Sequence, residues 1–316
     1  MIVRFSRNPF LQAWGIFKFN WISLLVFVGL SSTAALLCKL VDFHYLEIDV
    51  IPVTILGGAL AIFLGFRNNS AYDMWWEARK IWGGVVNISR TWALESTSFV
   101  TDIHNPSDAN DQEIAAMKKR LVYRHLAWIN ALRIQLRNQD AWEEVSVYLE
   151  PEEAEKLATY KNKATMMLQL QGQELMKARK AGYIDDFRHM QMEDRLKEMY
   201  DLQGKAERVK KTIFPYYYSY FTSLFMWLFI ILLPFSLVHK LDWGVIPITT
   251  MVSFVFLMLN KAGSITEDPF EGRAADTPLT SLCRTIEIDM RQQLGEEELP
   301  PAMPNTVLPY GLEYVP

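Results

Sequence analysis

The residue types that perform most enzyme and metal chemistry are scattered in this sequence. Its two cysteines, Cys38 and Cys283, fall in different predicted helices, one apolar and one polar, so a disulfide is not expected. Its five histidines include no His-x-x-x-His pair, and a zinc or haem site has no support. The sequence has no Walker-type loop, dinucleotide glycine fingerprint or assignable Ser-His-Asp set. We therefore predict no catalytic residues, no metal, no cofactor and no enzymatic activity.

Gly58, Ile62 and Phe66 suggest a different function. They could line a narrow apolar tube that excludes water. Their spacing of four places them on one face of a helix. The same stretch is rich in small residues, which let helices approach closely. Such a face, repeated around an axis by several chains, would form an apolar throat that closes by dewetting. On spacing alone, a face that contacts lipid or protein is the commoner interpretation.

The elements that position these residues are four runs without a charged side chain. The chain is 22% charged and has a net charge of −4, yet no charge occurs in residues 19–38, 50–66, 212–238 and 243–260. A helix needs about 20 apolar residues to cross a bilayer, with a lower limit of about 17. We expect four transmembrane helices. Four buried helices of a soluble protein are the alternative, which charge-free runs of this length disfavour.

Basic residues lie on one side of these helices. They occur before the first run, after the second and before the third: Arg4, Arg7, Lys18, Arg67, Arg79, Lys80, Lys205, Arg208, Lys210 and Lys211. The short connections, 41–49 and 240–242, hold one base, Lys240, and four acids: Asp42, Glu47, Asp49 and Asp242. The positive-inside rule therefore places both termini and the central segment in the cytoplasm. Mixed charge throughout argues against nucleic acid as a partner.

The chain divides into four segments by this pattern. Residues 1–66 hold an N-terminal segment and transmembrane helices one and two, 67–211 form a helical cytoplasmic domain, 212–260 hold transmembrane helices three and four, and 261–316 form a cytoplasmic segment that wraps on the body. Apolar periodicity and capping signals predict helices at 112–138, from 151 to a stop before Gly182, at 187–211 and at 279–294. No strand is expected.

A family resemblance lies in residues 63–79 and in the C-terminal part. The first stretch contains Gly65-Phe66-Arg67-Asn68-Asn69-Ser70-Ala71-Tyr72-Asp73 and Trp75-Trp76-Glu77-Ala78-Arg79. The later motifs are Pro269-Phe270 and Asp276-Thr277-Pro278-Leu279, followed by Cys283-Arg284-Thr285-Ile286-Glu287-Ile288-Asp289. These motifs resemble the bacterial branch of the bestrophin family over nearly the whole chain. The resemblance implies an all-α homopentamer in the bacterial inner membrane, with a central ion pore that continues through the cytoplasmic domain.

The resemblance also assigns individual residues to the pore. It places three neck rings at Gly58, Ile62 and Phe66, although relatives usually carry a bulky residue at the first position. It places a second, cytoplasmic constriction at Ile184, within Gly182-Tyr183-Ile184-Asp185-Asp186. The alternative for Ile184 is an ordinary buried residue in a turn between helices.

The acidic calcium clamp of animal relatives is not intact in this sequence. Calcium takes six to eight oxygen ligands. The corresponding segment holds only four carboxylates and has Arg273 among them: Glu267, Asp268, Glu271 and Asp276. We therefore expect no activating calcium site. We interpret four charged residues after the second span as an ion-paired corner: Arg67, Asp73, Glu77 and Arg79.

The expected function is passage of monovalent ions. Bacterial relatives are thought to favour cations, and the outer acids Asp42, Glu47, Asp49 and Asp242, repeated around a ring, would concentrate sodium or potassium at the mouth. The outer acids are alternatively plain solvated loop residues. The positive edge of the Phe66 ring would instead assist anions, so a chloride channel is the alternative. A non-conducting membrane scaffold or sensor would show the same four spans.

Overall fold

The computed structural model describes residues 17–40, 48–102, 110–212, 216–308 and 312–314. Helices dominate these residues: α1 Trp21–Leu40, α2 Val50–Phe99, α3 Asp111–Leu136, α4 Glu143–Ser146, α5 Pro151–Ala158, α6 Lys163–Lys180, α7 Asp186–Lys211, α8 Tyr216–Leu241, α9 Val245–Thr266 and α10 Leu279–Gln293. A 3-10 turn, Asp242–Gly244, joins α8 to α9. Near the C-terminus, β1 Thr306–Leu308 pairs antiparallel with β2 Leu312–Tyr314. This short hairpin corrects the expectation that no strand forms.

Within the described residues, three helical stretches are long and apolar enough to cross a membrane: Trp21–Lys39, Val50–Phe99 and Tyr218–Thr266. The third folds back at the 3-10 turn, so α8 and α9 pack side by side, with the rings of Phe229 and Phe256 4.9 Å apart. We call α1, residues 50–66 of α2, α8 and α9 the apolar bundle. Its buried core includes Phe27, Leu60, Leu64 and Met226.

Helix α2 runs for 50 residues without a break, from the apolar bundle into the rest of the chain. At 1.5 Å per residue, it is about 75 Å long. It begins after Asp49, whose carboxylate accepts a hydrogen bond from the Ile51 backbone amide at 3.0 Å. Residues 67–79, which hold the expected ion-paired corner, are a continuous part of α2.

The second half of α2 packs with α3, α6, α7 and α10 into what we call the helical body. Three tryptophans at its centre, Trp82, Trp92 and Trp128, are completely buried. Trp92 Nε1 donates to the Leu121 carbonyl at 3.1 Å, and Trp128 Nε1 donates to Gln203 Oε1 at 3.0 Å. These bonds attach α2 to α3 and α3 to α7, so the core fixes the direction of the long helix.

The helix predicted from residue 151 to 180 is two helices. Helix α5 ends at Ala158, and α6 begins at Lys163. Asn162 Oδ1 accepts from the Thr165 amide at 3.0 Å, which is a favourable N-cap and starts a new helix. The predicted stop before Gly182 is confirmed: α6 ends at Lys180, and Gly182 has φ 76°.

Candidate functional site

Helix α2 has two contrasting faces within the apolar bundle. Leu60 and Leu64 are each 1% exposed and belong to the core that α2 shares with α8 and α9. Ile62 and Phe66 lie on the opposite side and are 61% and 62% exposed. Gly58 is also exposed, and a Cβ there would have no atom within 4 Å. The structure thus brings the three predicted neck residues together on one open apolar face, which we call the neck face.

The buried side of α2 depends on close helix contact. A Cβ at Gly57 would lie 2.7 Å from the Phe229 ring of α8, closer than side-chain atoms approach. Glycine at this position lets the two helices meet. The contact orients α2 so that Gly58 and Ile62 turn away from the core.

Arg67, one residue after Phe66, is 3% exposed and faces the end of α9. Its Nε donates to Glu267 Oε1 at 2.7 Å, its Nη2 donates to Ser264 Oγ at 2.8 Å, and its Nη1 donates to Asn260 Oδ1. We call these four residues the Arg67 fork. Sequence reasoning missed the three partners, because each is an ordinary polar residue almost 200 positions away in the sequence. The one available signal was the polar spacing of residues 260, 264 and 267 at the end of an apolar run.

The ion-paired corner predicted among Arg67, Asp73, Glu77 and Arg79 is wrong. Arg67 pairs with Glu267, and Glu77 pairs with Lys80 at 2.7 Å. Residues 67 and 77 project in different directions around the helix, so Arg67 pairs with the end of α9 and Glu77 pairs within α2. The Lys80 bond lowers the pKa of the Glu77 carboxyl, although burial opposes this shift.

Ile184 is 2% exposed and lies in the core of the helical body. Its neighbours hold the turn in place: the Thr101 amide donates to the Tyr183 carbonyl at 2.9 Å, and Asp185 caps α7 by accepting from the Arg188 amide at 2.9 Å. A buried side chain cannot line an aqueous conduit without rearrangement. The large apolar residue exposed at this turn is Phe187, with 86% of its surface open.

Two of the four predicted outer-mouth acids, Asp42 and Glu47, lie outside the described residues. Asp242 forms an ion pair with Lys39, near the end of α1. Lys39 also lies 5.6 Å from the Trp243 ring centroid. Asp49 is the N-cap of α2. The base partly cancels the field of Asp242, and the carboxylate of Asp49 is engaged at the positive end of a helix dipole.

The segment corresponding to the calcium clamp uses its acids internally. Glu267 belongs to the Arg67 fork, Glu271 pairs with Lys210, and Asp276 Oδ2 accepts from the Arg273 amide at 2.9 Å. Burial raises the pKa of the Asp276 carboxyl despite this bond. Among the described residues, no group of three or more His, Cys, Asp or Glu side chains could hold a metal ion.

Two titratable groups of the helical body are fully buried. His125 lies between the Trp92 and Trp128 rings, with Nε2 2.8 Å from Ser89 Oγ. Ser89 donates its own proton to the Val85 carbonyl, so Nε2 of His125 carries the hydrogen. Burial lowers the pKa of His125 to about 3 and raises the pKa of Cys283 to about 12. Both groups are therefore neutral parts of the core.

Helix α2 is of membrane-spanning length, and its apolar segment packs against α8 and α9 while one apolar face stays open. A membrane channel subunit needs such a face if the pore has an apolar constriction. The chain belongs to the Bacterial/Fungal Bestrophin protein family, a channel family, whose model matches residues 15–292. The resemblance seen in the sequence is thereby confirmed.

Curated relatives carry a common functional name. The Mesorhizobium japonicum protein mll4386, named a voltage-dependent anion channel-forming protein, is 31% identical over 308 residues, covering 96% of this chain and 94% of the relative. YneE of Escherichia coli K12, which has the same name, is 32% identical over 255 residues, or 81% of this chain and 80% of the relative. The crystal structure of a bacterial bestrophin homologue from Klebsiella pneumoniae superposes with a TM-score of 0.79 at 29% identity, covering 87% of this chain and 98% of that one.

Proposed function

We propose that this protein forms a homopentameric anion channel whose neck is lined by Ile62 and Phe66. The observation that carries the proposal is the neck face: two large apolar side chains are more than half exposed on a helix whose other side is buried. Around a five-fold axis, these faces would enclose a narrow apolar tube, in which water lacks hydrogen-bond partners and passage closes by dewetting. Gly58 would leave the outer end of this neck wide.

The proposed subunit crosses the bacterial inner membrane four times, with α8 and α9 as separate crossings and both termini in the cytoplasm. Basic residues on the exposed end of α7, before α8 enters the apolar bundle, support this orientation. The helical body would then extend the conduit into the cytoplasm.

Anions are the proposed permeant ions, in place of the cations expected from the sequence. Cation preference has no support from the relatives, which are named anion channel-forming proteins. The outer acids are also weaker attractors of cations than the sequence suggested, because Asp242 is paired with Lys39 and Asp49 caps α2. The positive ring edge of Phe66 provides the neck with a favourable, uncharged contact for an anion.

We place the second constriction at Phe187 rather than Ile184. Phe187 lies at the start of α7, where Arg188 Nη1 donates to the Phe99 carbonyl at 3.3 Å. This contact puts Phe187 at the end of α2 that is farthest from the neck, about 50 Å along the helix from Phe66. Leu94, 59% exposed, adds an open apolar side chain to α2 at the same level.

The channel is proposed to work without calcium, since three of the four acids of segment 267–276, Glu267, Glu271 and Asp276, have internal partners. Chloride efflux from liposomes, measured across a calcium titration, is expected to stay constant. Steep activation by calcium would contradict this part of the proposal.

The decisive experiment measures ion selectivity and assembly together. The mass of the purified complex is measured in detergent, and its currents are then recorded in planar bilayers with asymmetric potassium chloride. We expect five copies per complex and a reversal potential close to the chloride equilibrium potential. Reversal near the potassium potential would restore the cation alternative, whereas a monomer without current would indicate the scaffold or sensor.

A further inference from the structure

The Arg67 fork lies directly behind the neck face. Phe66 and Arg67 are adjacent in α2, so their side chains point about 100° apart around the helix. One is exposed, and the other is enclosed by α9. Any force that the fork exerts on α2 therefore acts on the turn that carries Phe66.

The fork engages all three nitrogens of the Arg67 guanidinium. Asn260, Ser264 and Glu267 follow one another at spacings of four and three, so they share one face of α9. The planar guanidinium meets all three through different nitrogens. Because arginine keeps its charge at every physiological pH, the pairing persists wherever α2 and α9 stay in this register.

The surroundings of the fork also favour a single, close helix approach. Asn68 Nδ2 donates to the Leu259 carbonyl at 3.1 Å. A Cβ at Gly263 would lie only 2.3 Å from Asn68 Oδ1, so a larger residue there would displace the Asn68 side chain. Ser219 of α8 donates to Glu267 Oε1 at 3.4 Å, which brings the third helix into the same cluster.

The rest of α2 in the apolar bundle is held differently. Val53, Gly57, Leu60 and Leu64 make its buried side, and their contacts are non-directional. Such contacts allow a helix to slide or rotate by small amounts, whereas a fork of hydrogen bonds does not. Among the described residues, two single hydrogen bonds also reach this end of the segment, from Tyr218 Oη to the Phe63 carbonyl at 3.5 Å and from Asn68 to the Leu259 carbonyl. The fork is its charged attachment, with three hydrogen bonds from one side chain.

We propose that Arg67 is a positioning residue for the neck: its fork holds α2 back against α9 and so keeps the Phe66 rings apart. The proposal rests on the neck assigned under the proposed function. The pull is directed away from the neck face, because α9 lies on the buried side of α2. Release of the fork would let α2 move towards the pore axis, and a slightly narrower apolar tube dewets.

The test is a comparison of single-channel currents in planar bilayers. Glu267→Gln removes the charge that pairs with Arg67 but keeps a similar side-chain size. We expect at least a twofold loss of open probability, with the pentamer intact by mass. Ser264→Ala, a milder change, is expected to shift open probability in the same direction and serves if Glu267→Gln fails to assemble. Unchanged open probability in both variants would overturn the proposal.

A control is Glu153→Gln, which removes a carboxylate paired with another buried arginine, Arg124 of the helical body. Arg124 donates two hydrogen bonds to Glu153, at 2.6 and 2.8 Å, whereas Arg67 donates one to Glu267. The open probability of Glu153→Gln is expected to equal that of the wild type. If it falls as much as that of Glu267→Gln, the effect is structural and the proposal fails.

The double variant Phe66→Ala/Glu267→Gln distinguishes a role of the fork in positioning the neck from a general loss of channel structure. Widening the neck should rescue the loss, so the double variant should conduct like Phe66→Ala alone. A double variant as poor as Glu267→Gln would overturn the positioning role. If Phe66→Ala alone leaves the current unchanged, the neck assignment has failed instead, which is a different result from failure of the fork.

Discussion

Phe66 and Arg67 are consecutive in α2, yet 62% of the Phe66 surface is exposed and 3% of that of Arg67. In most chains the charged member of such a pair would be the exposed one. Arg67 is buried because the end of α9 offers it a carboxylate, an amide and a hydroxyl, whereas Phe66 is left open by the described residues. In a membrane helix, an exposed phenylalanine contacts lipid, contacts a second copy of the chain or lines a pore.

The size of the neck residues is expected to set the current. Phe66→Ala or Ile62→Ala should raise single-channel conductance, because a wider tube stays hydrated. Gly58→Ile should lower it, since the space around Gly58 accommodates a side chain that would add a third apolar ring. Single-channel recording at constant voltage tests both directions. Opposite or absent changes would count against the neck face as the pore lining.

Phe187 and Ile184 are expected to respond differently to truncation. Phe187→Ala removes an exposed ring and should alter conductance or rectification while leaving thermal stability near that of the wild type. Ile184→Ala empties part of the core and should cost about 2–5 kcal/mol of folding stability. Thermal unfolding in detergent and bilayer recording of both variants separate the two roles. A conductance change in Ile184→Ala without loss of stability would return the constriction to Ile184.

The Lys39–Asp242 pair is expected to balance charge at the outer end of the apolar bundle. Lys39→Gln should leave five unpaired carboxylates in the pentamer and move the reversal potential towards cations. Asp242→Asn should move it towards anions, and the double variant should behave like the wild type. Low-salt recordings are required, since at 0.1 M salt such fields decay over about 10 Å. Equal reversal potentials in all four proteins would exclude these residues from the ion path.

Stability of the helical body is expected to fall in acid because of His125. Burial lowers the pKa of His125 in the folded protein to about 3, below the 6.5 of an exposed histidine, so the unfolded chain takes up the proton first. The contribution is fully present above pH 6.5 and is lost by about 1.4 kcal/mol per pH unit as the pH falls towards 3. The measurement is the thermal midpoint at pH 7.5 and pH 5.0. His125→Gln should show a smaller difference between the two pH values, and an equal difference would refute the assignment.

The helices were predictable where local signals determine them. Charge-free length identified the apolar helices, and Pro151 and Gly182 marked helix ends where the structure has them. The break at Asn162 was missed because a capping asparagine looks like any polar residue until its backbone partner is known. The open face of α2 followed from a spacing of four, since helical geometry is local.

Features that depend on distant partners were beyond sequence reasoning. Arg67 was assigned to a corner with Asp73 and Glu77, because residues near in sequence are the visible candidates for pairing. Its real partners are brought in by the packing of α9. Ile184 and Phe187 are three positions apart and both apolar, so burial alone distinguishes them, and burial is a property of the assembled body.

Because α2 is one unbroken helix, it can transmit a tilt between its two ends as well as line the proposed neck. From the fork at Arg67 to its last residue, Phe99, the helix rises about 48 Å, so a tilt of about 5° would swing the far end by roughly 4 Å. A tilt that starts at the far end would likewise pivot at the Arg67 fork, beside Phe66. A molecule that binds at the far end of the helical body and tilts α2 would therefore also move the neck residues, by a smaller distance. No loop interrupts α2 between the two ends, so the movement would not be absorbed on the way.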